Sequence, residues 1–167
     1  MEQLQFSISN NQIPQSWLQK SYPSKKPLIA YVSDLVRRIK MFDDWIEFGA
    51  PKVFWVSGFF FTHSFLAGVK QNFARAFRHP FDKVDFDFVV LKRENEDQAR
   101  AEGAKLGSFI DGLYLEGAGW DSVNDHLCES ALKVIHEKMP VMNLVPVLNK
   151  VLPQERLVYS CPTYVTS

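Results

Sequence analysis

Only two cysteines, Cys128 and Cys161, occur in the 167 residues, too few for a disulfide framework. Each is expected to act as a small buried or half-buried hydrophobe, which suits a reducing compartment and an intracellular protein. Excess charge is also missing. Lys plus Arg equals Asp plus Glu at 19 each, so nothing global draws the protein to a phosphate backbone or an anionic bilayer. Nucleic acid and membrane are therefore not expected partners. No uncharged apolar run reaches the ~18 residues of a membrane span, because Lys70, Arg75 and Arg78 interrupt the richest stretch. The N-terminal MEQLQFSISN has neither the basic nor the apolar region of a secretory signal. No G-x-x-x-x-G-K-S/T run is available to cradle a nucleotide phosphate, and Gly117-x-Gly119 reads as a hairpin turn.

Aromatic side chains are plentiful at 14%, with 14 phenylalanines. They peak between Pro51 and Phe77, around which the protein is organised. Val53, Phe54, Trp55, Val56, Phe59, Phe60 and Phe61 form a nearly unbroken apolar surface, and each large side chain removed from water contributes about 1.5 to 3 kcal/mol. Phe65, Val69, Phe73 and Phe77 then recur every fourth residue, predicting a helix whose apolar side faces inward. Thr62 is the expected N-cap, Ser57-Gly58 the bend before it, and Gly68 a point of close packing.

Upstream, residues 1–11 read as a loose lead and 13–24 as a turn-rich segment pinned by Trp17 and Tyr22. Leu28, Val32, Leu35, Ile39, Phe42 and Ile46 predict a long amphipathic helix packing by that stripe, with Arg37, Arg38, Lys40, Asp43 and Asp44 mainly on its other faces; Pro27 falls in its first turn and Gly49 to Pro51 stops it. Downstream, His79-Pro80 ends the second helix, and Val84, Phe86, Phe88 and Val90 alternate with Asp85 and Asp87 as a half-buried strand does. Residues 92–108 read as an exposed, mobile excursion with a short helical turn near Gln98 to Glu102. Leu113 to Glu116 reads as a strand, Gly117 to Asp121 as a turn or bulge, and His126 to Glu129 as the returning strand. Met139 to Val147 and Arg156 to Val165 add two more strands, expected at edges or broken because Pro146 and Pro162 cannot donate to a ladder. The fold class is α+β, with N-terminal helices packed against a C-terminal antiparallel β-meander or incomplete β-barrel.

Reactive constellations are weak. His126, Cys128 and His136 have loose metal-ligand spacing but read more simply as strand positions, and Cys161 has no nucleophile signature. Asp85 and Asp87 read as the wet side of a strand rather than an acid/base pair. Lys25-Lys26 and Arg37-Arg38 read as solvated faces, and His63 as a local hydrogen-bonding group. No catalytic, cofactor-binding or metal residue is assigned. The residues alone point to an interaction or structural module, with a freestanding β-barrel that binds a small ligand or metal as the alternative.

Read as phrases, the sequence resembles the C-terminal domain of dynein heavy chains, especially the axonemal ones. The matching phrases run in order: Ser21 to Leu28 (SYPSKKPL), Asp44 to Pro51 (DWI with a Gly-x-Pro stop), Phe54 to Phe61 (FWVSGFFF), Phe65 to Arg75 (FLAGVKQNFAR), Gly112 to Asp121 (GLYLEGAGWD), Glu129-Ser130, Met139 to Val141, and Tyr159 to Ser167 (YSCPTYVTS). The resemblance implies a lead over 1–12 and one domain over 13–167, helical over 24–79 and strand-rich over 84–167. It implies a fragment that stops short of the family's last strands, so that self-association through an unfinished sheet edge is expected. It further implies a non-catalytic regulatory or structural domain that packs on the AAA+ ring of the same heavy chain and influences ATP-driven movement along microtubules. Its location would be the cytoplasm or cytoskeleton, in the axoneme of a cilium or flagellum. Partner contacts are expected from Trp17, Phe59, Phe60, Gln71, Asn72, Arg75 and Trp120, with two of Phe59, Phe60 and Phe61 in the domain's own core. Gly119 stands where the family commonly has Arg, which removes a charge beside Trp120.

Overall fold

A computed structural model describes residues 2–22 and 24–149. Among the described residues helices lead, most strands follow, and the strands do not close into a barrel, so the expected α+β class holds. The run from Arg156 to Val165, Cys161, and the sheet-edge association expected from them lie outside the described residues. The protein divides into two compact units: residues 1–50 with 58–60, and residues 51–57 with the remainder.

The first unit contains helices α1 (Glu2–Ser9), α2 (Gln15–Lys20) and α3 (Leu28–Phe48). The segment read as a loose lead is therefore helical for most of its length, and Asn11 just beyond it has a task. At a φ of 54°, which asparagine tolerates better than most residues, its backbone carbonyl accepts from Leu28 N at 3.0 Å and its side-chain oxygen from Ile29 N at 3.3 Å. These groups satisfy two of the free N–H groups at the start of α3, where Pro27 offers no side-chain cap. Gly49 ends the helix as expected, with φ 86° and its N–H donating to Trp45 O at 3.0 Å.

The roll of α3 differs from expectation. Tyr31 and Arg38 are buried and Leu35, Phe42 and Trp45 half-buried, whereas Val32, Ile39 and Ile46 of the predicted stripe face out at 39%, 50% and 85% exposure. At 100° per residue the inward face is rotated by roughly a fifth of a turn from the most apolar one.

In the second unit, β1 (Val53–Trp55) leads through a 3-10 turn toward α4 (Thr62–Phe77), followed by β2 (Val84–Val90), α5 (Arg93–Glu102), β3 (Ser108–Asp111), β4 (Tyr114–Glu116), β5 (Ala118–Asp121), β6 (His126–Glu129), β7 (His136–Lys138) and β8 (Met142–Leu148). The main sheet has the order β1-β3-β8-β2, with β1 parallel to β3 and the other pairings antiparallel. Two ribbons, β4-β7 and β5-β6, complete the strands among the described residues.

Several local expectations change. Thr62 is the first residue of α4 rather than its cap, and its hydroxyl donates to Val56 O at 3.5 Å. Phe88 breaks the alternation of β2, being 56% exposed. Most of the excursion over 92–108 is the helix α5, ended by Gly103 at φ 79°. The segment read as a turn at 118–121 is strand β5, and the backbone reverses over residues 122–125, where Asp121 accepts from the N–H groups of Val123 and Asn124. Pro146 lies in a strand with neighbours on both sides rather than at an edge. It is tolerated because the β3 ladder pairs only Met142, Asn143 and Leu144 and has ended before Pro146 is reached.

The core of this unit forms where the main sheet's buried faces converge: Val84, Phe86, Ile110, Met142 and Leu144, with Ala74 of α4 and Val56. Gly107 permits the close approach of backbone beside β8, because at its φ of 77° a Cβ would collide with the Leu144 carbonyl oxygen. Gly68 is the opposite case. A Cβ there would meet nothing within 4 Å, so no close packing demands it. Gly107→Ala is accordingly expected to destabilise by about 2 kcal/mol or more, and Gly68→Ala to stabilise by up to about 1 kcal/mol, measured by urea unfolding. Shifts of the same sign in both variants would contradict these packing assignments.

Candidate docking surface

A polar cluster holds the first unit together. Asp34 and Arg38 are four apart on α3, so their side chains meet on one face, and Arg38 Nε donates to Asp34 Oδ2 at 2.8 Å. Tyr22 donates its hydroxyl to the same oxygen at 2.5 Å, and Lys26 Nζ lies 3.0 Å from Asp34 Oδ1. The Arg38 guanidinium lies over the Tyr22 ring, 4.2 Å from its centroid, and donates to Gly58 O at 2.9 Å and Phe59 O at 3.3 Å. Burial alone would push the Asp34 carboxyl up, but hydrogen bonds from Tyr22, Arg38 and Lys26 outweigh it and hold its pKa at about 2. Burial and the bond to Asp34 push the Tyr22 phenol up to about 12. Arg38 and Lys26, read from sequence as solvated, are thus structural partners. The one available signal was the Asp-x-x-x-Arg spacing after an aromatic residue.

The cluster fixes residues 58–60 against α3, and aromatic contacts follow. Phe42 stacks on Phe60 with centroids 6.0 Å apart and an 11° interplanar angle, while Phe59 meets Phe42 at 6.0 Å and Trp45 edge-on at 6.1 Å. Phe59 is half-buried, Phe60 39% exposed and Phe61 68% exposed. Two of the three were expected inside, so the surface is more aromatic than the sequence suggested. Of the other predicted contact residues, Trp17 of α2 is exposed, Gln71, Asn72 and Arg75 are exposed on α4 within about one helical turn of each other, and Trp120 is half-buried in β5 with its backbone N–H donating to the Glu137 carboxylate at 3.2 Å. A Cβ on the buried Gly119 would lie 2.6 Å from the same Glu137 carboxylate.

The feature that sequence reasoning missed is the outward row on α3. Ile29, Val32, Val36, Ile39 and Ile46 are 76%, 39%, 59%, 50% and 85% exposed. They are spaced three, four, three and seven apart, the repeat of a helix that meets another helix along a seam. Scattered exposed aliphatics are ordinary; a row of them along one face of a helix, interrupted here only by Asp43, is a larger apolar surface.

Reactive chemistry is sparse by comparison. His126 and His136 are exposed on different ribbons, across from Asp121 and Glu116, with Cys128 half-buried. Among the described residues no three His, Cys, Asp or Glu side chains converge on a metal position. Asp85 lies 3.7 Å from Lys70. A cleft of about 420 Å³ beside α5 is lined by Leu91, Leu106, Phe109 and Val145, with Glu102 and Lys105 its ionisable groups. Next to it, Asp111 ties β3 to Arg100 at 3.3 Å and Lys138 at 2.8 Å; burial raises its pKa, and these two partners more than offset that and hold it below the usual carboxylate range.

The polar cluster makes a pH prediction. A carboxyl whose folded pKa of about 2 lies below its ordinary 3.8 stabilises the fold above that ordinary value and loses the contribution as pH falls toward 2. Wild type is expected to lose about 2 kcal/mol between roughly pH 5 and pH 2 from this group, and Asp34→Asn to lose that part of its acid dependence. Arg38→Ala, which leaves a buried carboxylate without its main partner, is expected to cost about 3 kcal/mol or more in denaturant unfolding at neutral pH. Identical acid profiles for wild type and Asp34→Asn would contradict this.

The family model for the C-terminal domain of dynein heavy chains matches residues 1–167. Dynein axonemal heavy chain 1 of Mus musculus is 43% identical over 166 residues, 99% of the present sequence and 4% of that protein. Dynein axonemal heavy chain 3 of Homo sapiens is 41% identical over 167 residues, 100% of the present sequence and 4% of its own length, and dynein axonemal heavy chain 12 of Mus musculus is 40% identical over 167 residues, 5% of its length. The protein therefore spans about one twentieth of the relatives it matches, and it belongs to the family of C-terminal domains of dynein heavy chains.

Proposed function

We propose that this domain is a non-catalytic regulatory and structural element of a dynein heavy chain, docking on the ring of AAA+ modules of the same polypeptide and modulating ATP-driven movement along microtubules. The observation that carries the reading is the outward aliphatic row of α3 in a member of this family. Membership supports the ring as partner, and the row offers a surface that gains from being covered: each large aliphatic side chain moved out of water contributes about 1.5 to 3 kcal/mol, less the ordering that association costs. The nucleotide and microtubule sites belong elsewhere in the heavy chain, and the reading requires no cofactor within these residues. Because the relatives are named as axonemal heavy chains, the working location is the axoneme of a cilium or flagellum.

Apolar docking makes a salt prediction, since screening weakens exposed charge pairs and leaves hydrophobic burial intact. The 167-residue domain, added in trans to a dynein motor from which the corresponding residues are deleted, is expected to bind and to change the motor's ATPase rate, with affinity kept at high salt. Absence of binding at both low and high salt would contradict the docking reading, and binding without any change in ATPase rate would contradict the regulatory part.

A further inference from the structure

Resting on the docking reading, we infer that the outer row of α3 receives one α-helix of the heavy chain's motor portion, with apolar residues at heptad spacing and a Lys or Arg facing Asp43. The row Ile29, Val32, Val36, Ile39, Asp43, Ile46 follows the a/d alternation of a two-helix seam without a break. Its aliphatic members run from 39% to 85% exposed, and Asp43 is exposed among them. The buried Tyr31 and Arg38 and the half-buried Trp45 lie on another side of the same helix.

Charge decides between occupants. Asp43 fills a position that would otherwise be aliphatic, and closing a seam over a carboxylate is costly unless a cation meets it. The α3 seam of a second copy does not supply one in the two pairings that align the seams over their length. Parallel pairing of two α3 seams sets Asp43 against Asp43, and antiparallel pairing centred on Val36 and Ile39 sets Asp43 against Val32 of the other copy. Either arrangement leaves the carboxylate uncompensated, which selects against self-pairing and for a different helix with a basic residue at that level. On the docking reading the source is the motor portion of the heavy chain, which is far longer than these residues: they make up 4% of the matched axonemal heavy chain 1. The partner helix is thereby defined by chemistry: aliphatic at a and d, basic at one a or d position.

The test uses the trans-binding assay with surface variants of the 167-residue domain, each first checked for an unchanged melting temperature. Ile39→Asp is expected to weaken binding at least about tenfold, and Ile29→Asp, at the other end of the row, keeps the test decisive if Ile39→Asp fails to fold. Asp43→Lys is expected to weaken binding about fivefold or more, with Asp43→Glu close to wild type. Leu132→Asp, at a 96% exposed position in the other unit, is expected to stay within about twofold. Wild-type binding with unchanged affinity in Ile39→Asp, Ile29→Asp and Asp43→Lys would overturn the seam while leaving ring docking intact. Equal weakening by Leu132→Asp would overturn it in favour of unspecific apolar contact, and wild-type dimers that dissociate in Ile39→Asp would overturn it in favour of a second copy. Failure of wild type to bind at all would overturn ring docking and the seam together.

Discussion

The guanidinium of Arg38 is the constraint on which the first unit depends. It is charged and almost fully enclosed, and an enclosed charge is stable only with its donors engaged. Asp34, the Tyr22 ring and the carbonyls of Gly58 and Phe59 engage them, and together they are available from only one direction. Once Arg38 points that way, the roll of α3 is set. Tyr31 and Trp45 lie one heptad to either side of Arg38 and turn inward with it.

The cost of that choice appears on a neighbouring face of the helix. An α3 oriented by hydrophobicity alone would bury Val32, Ile39 and Ile46. The polar cluster overrides that preference, because withdrawing Arg38 from its partners would strand Asp34 and two backbone carbonyls, whereas an exposed isoleucine forgoes only its own transfer free energy. The aliphatic row is therefore a by-product of internal electrostatics that becomes useful when a neighbour covers it. Relatives of this domain are about twenty times its length, and the proposed docking would cover the row with another part of such a chain.

How much of this was legible in the sequence depended on the range of the interactions. The ends of α3 were readable because Pro27 and Gly49 act locally, as were β6 and most of β2, where alternation is a property of adjacent residues. Phe88 escaped because nothing nearby marks where the cover over β2 ends. The parallel pairing of β1 with β3 and the interior place of β8 were hidden, since each depends on strands far apart in sequence. The roll of α3 was hidden for the same reason: the carbonyl that selects it lies 20 residues away. Arg38 looks like a surface residue until Gly58 is seen beside it. Asn11 likewise gave no sign of capping a helix that starts 17 residues later.

The outward aliphatic row, on which the proposed seam rests, and the acid behaviour both follow from one orientation of one helix. Adjacent positions on α3 distinguish it, since Leu35 is half-buried while Val36 is 59% exposed. With Cys128 and Cys161 replaced by Ser, the Leu35→Cys and Val36→Cys variants can be compared by their rates of maleimide labelling under native conditions. The account predicts that the thiol at 36 reacts nearly as fast as in the unfolded protein and the thiol at 35 several-fold more slowly; equal rates, or faster labelling at 35, would contradict it.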